Sequence, residues 1–177
     1  MKLRTIIAII SISIFGISAN AQHLSSTRNF KAIGLGLGLP YGALGAKFSY
    51  NPISQTTLFL GLGYNLVEVG FNVGVYRSFP SDVQTQFYII GMYGSNASVK
   101  VEGSDELSKS YYGPTFGAGI KINSVRREGN HWDIGILVPI RTSEFNDDID
   151  YLQDLGYDLT EPWPILFTVG YNFSLGN

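Results

Sequence analysis

From residue 30 onward the chain alternates, one apolar side chain and then one small or polar one, over most of its length. A period of two marks strands whose faces meet different surroundings. Residues 32–39 set Ile33, Leu35, Leu37 and Leu39 opposite Ala32, Gly34, Gly36 and Gly38. A turn at Pro40-Tyr41 leads to a second strand bearing Leu44, Ala46, Phe48 and Tyr50, and Asn51-Pro52 turns the chain again. The third strand carries Leu58, Leu60, Leu62 and Tyr64. The fourth carries Val69, Phe71, Val73 and Val75 before a break at Pro80-Ser81-Asp82. A fifth, over residues 84–93, is apolar on both faces, which leaves its sides unassigned. Residues 112–122, 132–140 and 165–175 resume the alternation and bring the number of strands to eight.

Eight alternating strands predict an all-β, antiparallel barrel of up-and-down topology, either soluble with an apolar interior or membrane-spanning with an apolar exterior. The composition of the weaker face separates the two. That face holds 13 of the 21 glycines, and its charges are Lys47, Lys121, Asp133 and Arg141, with Glu68 at its margin. A soluble surface is roughly a quarter to a third charged, and exposed strand glycine forfeits stability. A narrow lumen instead needs small side chains and a few polar ones that pair. Only 15% of the whole chain is charged, against about 25% in a typical soluble domain. The expectation is therefore an eight-stranded transmembrane β-barrel with its Leu, Ile, Val and aromatic face on lipid. Tyr50, Tyr64, Tyr112, Trp132 and Tyr171 lie near strand ends, where interfacial aromatic belts occur. The long connections, residues 95–110 and 142–162, fall at one end, as expected where long loops are external.

Residues 1–21 have the form of a secretory signal peptide: Lys2 and Arg4, an apolar run, then Ser18-Ala19-Asn20-Ala21. The run is shorter than the roughly 20 residues of a helical membrane span. Cleavage is expected between Ala21 and Gln22, leaving a short tail over residues 22–29 and a barrel domain over residues 30–177.

The alternation, the leader and the closing segment Val169-x-Tyr171-x-Phe173-x-Leu175 together resemble the small eight-stranded outer-membrane barrels of Gram-negative bacteria, including porin-like and OmpA-like forms. The resemblance covers essentially residues 30–177. It implies residence among outer-membrane lipids and insertion by the barrel assembly machinery. Barrels of this family normally end on an aromatic residue, whereas this chain continues to Gly176-Asn177. Membership in so broad a family specifies a location rather than an activity.

Candidate chemistry is sparse. Gly34-x-Gly36-x-Gly38 lacks the spacing of a dinucleotide fingerprint and lies in a strand, so no cofactor is expected. The two histidines, His23 and His131, accompany no Gly-x-Ser-x-Gly nucleophile motif, and no catalysis is expected. A net charge of −2 without a basic block argues against nucleic acid. Lys47, Lys121, Asp133 and Arg141 are expected to form a structural polar network in the lumen, since buried charges need partners. The most acidic segment carries Asp147, Asp148, Asp150 and Asp154, a candidate contact for a cation or an extracellular partner. Within it Ser143 suits a helix start, Phe145, Ile149 and Leu152 share one helical face, and Gly156 suits the end. That pattern predicts a short amphipathic helix over the barrel mouth, with residues 95–110 as the second external loop. The favoured role is structural or surface interaction. The alternatives are a secreted soluble barrel binding a small apolar ligand and a narrow passive channel.

Overall fold

A computed structural model describes residues 30–53, 55–79, 84–99, 108–154 and 163–175. The expected leader, its cleavage site, the N-terminal tail and Gly156 lie outside the described residues. The strands are β1 (Phe30–Gly38), β2 (Ala43–Ile53), β3 (Thr56–Tyr64), β4 (Val69–Ser78), β5 (Thr85–Val99), β6 (Lys109–Asn123), β7 (His131–Pro139) and β8 (Leu166–Ser174). Each pairs antiparallel with the next, and β8 pairs with β1 to close an eight-stranded barrel. One helix, α1 (Ser143–Asp154), lies between β7 and β8.

The wall follows the two-residue period. Leu35, Leu62, Phe116 and Ile136 point outward and are about half exposed, while Ala32, Phe59, Thr115 and Leu137 point inward and are buried. Among the described residues, 33 large hydrophobic side chains are exposed and 13 hydrophobic ones are buried. The molecule is therefore inside-out by the standards of a water-soluble fold. Charged side chains at outward strand positions are Lys31 and Arg77, among the described residues, and both lie toward the end opposite α1.

The fifth strand now has sides. Phe87, Ile89 and Tyr93 face out, whereas Tyr88, Ile90 and Met92 face in. Both faces are apolar because this part of the lumen is itself an apolar cluster, joined by Phe59, Tyr76 and Leu137. Two connections differ from their sequence reading. Asn51-Pro52 continues β2, with a register shift between Tyr50 and Ile53 that accommodates the proline, which has no N–H for the ladder. Residues 95–99 and 109–110, expected within an external loop, are paired strand, continuous with β5 and β6 past a bulge at Ser95/Ala97. Backbone pairing persists there while the hydrophobic alternation that would report it fades into Ser95, Asn96, Ala97 and Ser98.

This overhanging hairpin carries α1. Val99 and Tyr111 form a second buried cluster with Phe145, Ile149 and Leu152, the face that the helical period selected. Tyr111 meets Phe145 edge-on at 5.0 Å between ring centres.

Candidate functional site

In the interior, buried polar side chains from several strands converge. β2 brings Lys47 inward and β7 brings Asp133 inward from the far side of the β1–β8 seam. Lys47 Nζ donates to Asp133 Oδ2 at 2.5 Å, and both side chains are almost wholly buried. Three further hydrogen bonds complete the cluster. Tyr41 Oη donates to the same carboxylate oxygen at 2.7 Å, Asn172 Nδ2 donates to it at 2.9 Å, and Lys47 Nζ reaches Tyr76 Oη at 3.0 Å. The ammonium also lies 4.5 Å from the Tyr41 ring centre and 4.7 Å from that of Tyr76. A buried charge without such partners would cost several kcal/mol, about 3–5 when one member of a pair is removed.

Lys121 lies beside this cluster rather than in it. Its Nζ donates to Ser78 Oγ at 3.1 Å and stands 5.1 Å from the Tyr76 ring centre. Its cross-strand neighbour in register is Asp133, yet the carboxylate turns toward Lys47 and Tyr41. Arg141 is not brought to the network. It follows the end of β7 at the α1 mouth, where Nη2 donates to the Trp163 carbonyl at 2.6 Å and the guanidinium lies 5.4 Å from the Phe145 ring. Strand parity assigned Arg141 to the lumen, but the ladder ends at Pro139 and parity ends with it.

Tyr41 belongs to the cluster and sequence reasoning missed it. The β1–β2 connection folds into the barrel as a 3-10 turn, Leu39–Tyr41, in which Pro40 and Tyr41 are buried. The wall opposite is glycine. A Cβ on Gly34 or Gly36 would fall 3.0 or 2.8 Å from the Tyr41 ring, and one on Gly170 would strike its hydroxyl. On the other side, Cβ atoms on Gly45, Gly61 and Gly63 would strike the Pro40 or Tyr41 carbonyl oxygens. Gly42, at φ +70°, returns the chain to the wall, a conformation that glycine adopts without steric penalty. Lumen-facing glycine gave no selective signal, because it is nearly as frequent on β4, β6 and β7 as on β1–β3 and β8.

Toward the α1 mouth the lumen is lined by neutral polar groups. Asn65 donates through Nδ2 to Ser95 Oγ and Ser110 Oγ and accepts from Val67 and Glu68 N–H through Oδ1. Asn72 donates to the Ser95 carbonyl, and Asn96 to the Ile140 carbonyl. A recess of about 200 Å³ opens there, bordered by Leu39, Ala43, Asn96, Arg141 and Leu166.

The acidic segment is divided by α1. Asp148 accepts from Lys109 Nζ at 3.0 Å and from Tyr111 Oη at 2.8 Å, and Glu144 accepts from the same ammonium at 2.6 Å. These hydrogen bonds hold the Asp148 carboxyl below the usual carboxylate range. The same two acceptors raise the Lys109 ammonium above its ordinary value. Burial, with Asp148 beside it, pushes the Tyr111 phenol up to about 12. Asp147, Asp150 and Asp154 lie on the exposed side of the helix. Among the described residues no group of three or more His, Asp or Glu side chains is placed to hold a metal ion.

No family model matches the chain, and no curated protein matches it.

Proposed function

We propose that the protein is an integral outer-membrane β-barrel whose role is structural or one of surface interaction, with α1 and the β5–β6 overhang displayed outside the cell. The observation that carries this reading is the outer wall. Ile33, Leu35, Leu37, Leu58, Leu60, Leu62, Val73, Ile134, Ile136 and Val138 all face outward at 41–57% exposure, and together they form a belt rather than a patch. The largest exposed apolar patch on a soluble monomer is about 300–600 Å². A belt that encircles the molecule needs lipid to cover it.

The dimensions agree. Nine residues of β7 at about 3.3 Å each, tilted by roughly 40°, rise about 20–23 Å, close to the roughly 25 Å apolar band of such barrels. Trp132 and Tyr171, stacked edge-on at 5.0 Å, mark one margin of the belt, and Tyr64, Tyr93 and Tyr112 mark the other. The filled lumen favours a closed wall over a ligand cavity.

Washing whole membranes with alkaline carbonate tests the reading. An integral barrel stays in the pellet, whereas quantitative release into the supernatant would favour a secreted soluble barrel.

A further inference from the structure

We infer that the β1–β2 connection is a built-in plug, and that it closes a permeation path running along the glycine side of the lumen. An up-and-down hairpin needs two residues to reverse direction. This one uses four, Leu39 to Gly42, and spends them entering the barrel instead of leaving it. The seat is shaped for that backbone. Gly61 and Gly63 leave room for the Pro40 and Tyr41 carbonyls, Gly34, Gly36 and Gly170 for the Tyr41 ring, and Gly70 lies 3.2 Å, measured from an added Cβ, from the Gly42 carbonyl. Two consecutive left-handed residues, Gly42 at φ +70° and Ala43 at φ +84°, carry the chain back to β2. A left-handed alanine costs about 1–2 kcal/mol and persists only where its surroundings compensate.

One latch holds the plug: the Tyr41 hydroxyl on Asp133, with Asn172 3.3 Å from the same hydroxyl. Without the turn, the vacated space would be bordered by glycines of β1, β3 and β8, by Lys47 and Asn172 and, from β7, by Asp133, groups that are small or polar. Asp133 Oδ1 and Asn172 Oδ1 have no protein hydrogen-bond partner among the described residues, so this lining has acceptor capacity that suits water. The seating of the turn is independent of the membrane reading; passage across a bilayer rests on it.

The experiment uses the full chain, which has no cysteine of its own. Pro40→Cys, which keeps the Tyr41 hydroxyl and replaces a side chain buried in the turn, and, as an exposed control, Leu66→Cys are each exposed to a charged maleimide, first in detergent and then in vesicles. Leu66 is 68% exposed. A seated turn protects the thiol at position 40 by roughly a hundredfold or more relative to that at 66, in proportion to the rarity of opening. Equal labelling rates in folded protein would overturn the plug. In planar bilayers Tyr41→Ala and Gly61→Val, the second of which evicts the Pro40 carbonyl without touching the turn sequence, are expected to show stepwise openings many times more often than the parent. Folded, inserted variants as closed as the parent would overturn the path. Should neither variant insert, thiol protection at position 40 decides alone. A chain that never enters bilayers yet protects position 40 would refute the membrane reading and leave the plug standing.

Discussion

On the β4–β7 side of the lumen the wall fills the interior with its own side chains, Tyr76, Tyr88, Ile90, Met92 and Leu137. On the β8–β1–β2–β3 side a turn of backbone bearing Pro40 and Tyr41 fills the space instead, seated against glycines of those strands. The first solution is ordinary core packing rolled into a tube. The second makes glycine a shape requirement, because a Cβ at Gly36, Gly45, Gly61, Gly63 or Gly170 would meet an atom of the turn. Glycine serves the first half as well, but there Gly119 and Gly135 leave room for the Tyr88 hydroxyl and Gly117 for Leu137. An abundance of glycine in a small barrel therefore need not mean a narrow or empty lumen.

The two halves meet at Lys47, which bonds Asp133 and, through it, the plug on one side, and Tyr76 on the other. Breaking that seam should produce the largest effect. Lys47→Met leaves a buried carboxylate without its cation and is expected to lower stability by about 3–5 kcal/mol in urea titrations of the folded band. Adding Asp133→Leu should recover most of the loss, and a double variant as unstable as the single one would show that packing, not charge, is at stake. In the wall-filled half, Leu137→Ala removes the centre of a tight cluster and is expected to cost about 2–5 kcal/mol. It should leave maleimide protection at position 40 unchanged, and lost protection would show that the halves are not separate.

Glycine substitutions sharpen the contrast further. Gly61→Ala drives a methyl group into the Pro40 carbonyl and should cost about 1–3 kcal/mol. Gly91→Ala, facing outward with only the Phe116 ring at 3.6 Å from its Cβ, is expected to be neutral or to stabilise by up to about 1 kcal/mol. Equal losses at the two positions would mean that the barrel dislikes any side chain at glycine, plug or no plug. The smallest effect lies outside the barrel. Because the Asp148 carboxyl is held below its ordinary value near 3.8, its contribution to docking α1 is present above that value. It is lost as pH falls through the lowered one. Limited proteolysis within α1 should be constant from neutral pH to about pH 4 and accelerate below it. Asp148→Asn should already be cleaved faster at neutral pH and lose the acid step.

The wall was legible from the sequence because the period of two and the burial of one face are the same physical fact. The inner face of α1 was legible for the same reason, with a period of 3.6. What stayed hidden had no period to report it. β5 is apolar on both faces, so parity named its two sets of side chains without telling which was inside. Past Gly94 the β5–β6 ladder continues without the alternation that marks the wall, and the strand read as loop. Leu39-Pro40-Tyr41-Gly42 reads as a turn whether it bends outward or inward, since local chemistry fixes the reversal but not its direction. Glycine gave no clue by number, since β4, β6 and β7 carry nearly as many lumen-facing glycines as β1, β2, β3 and β8, and what fills the space beside each is set by the tertiary fold. Arg141 was assigned by counting parity two residues beyond the point where the strand stops.

The proposed reading puts a lipid-covered wall around a closed, folded lumen. Gel mobility of the carbonate-washed membrane fraction in mild detergent, with and without boiling, tests it most directly. The expected result is a compact, faster-migrating band that shifts to the full-length position on boiling and retains protection of position 40 only before it. A single mobility in both lanes, with the protein recovered in the carbonate supernatant, would contradict it.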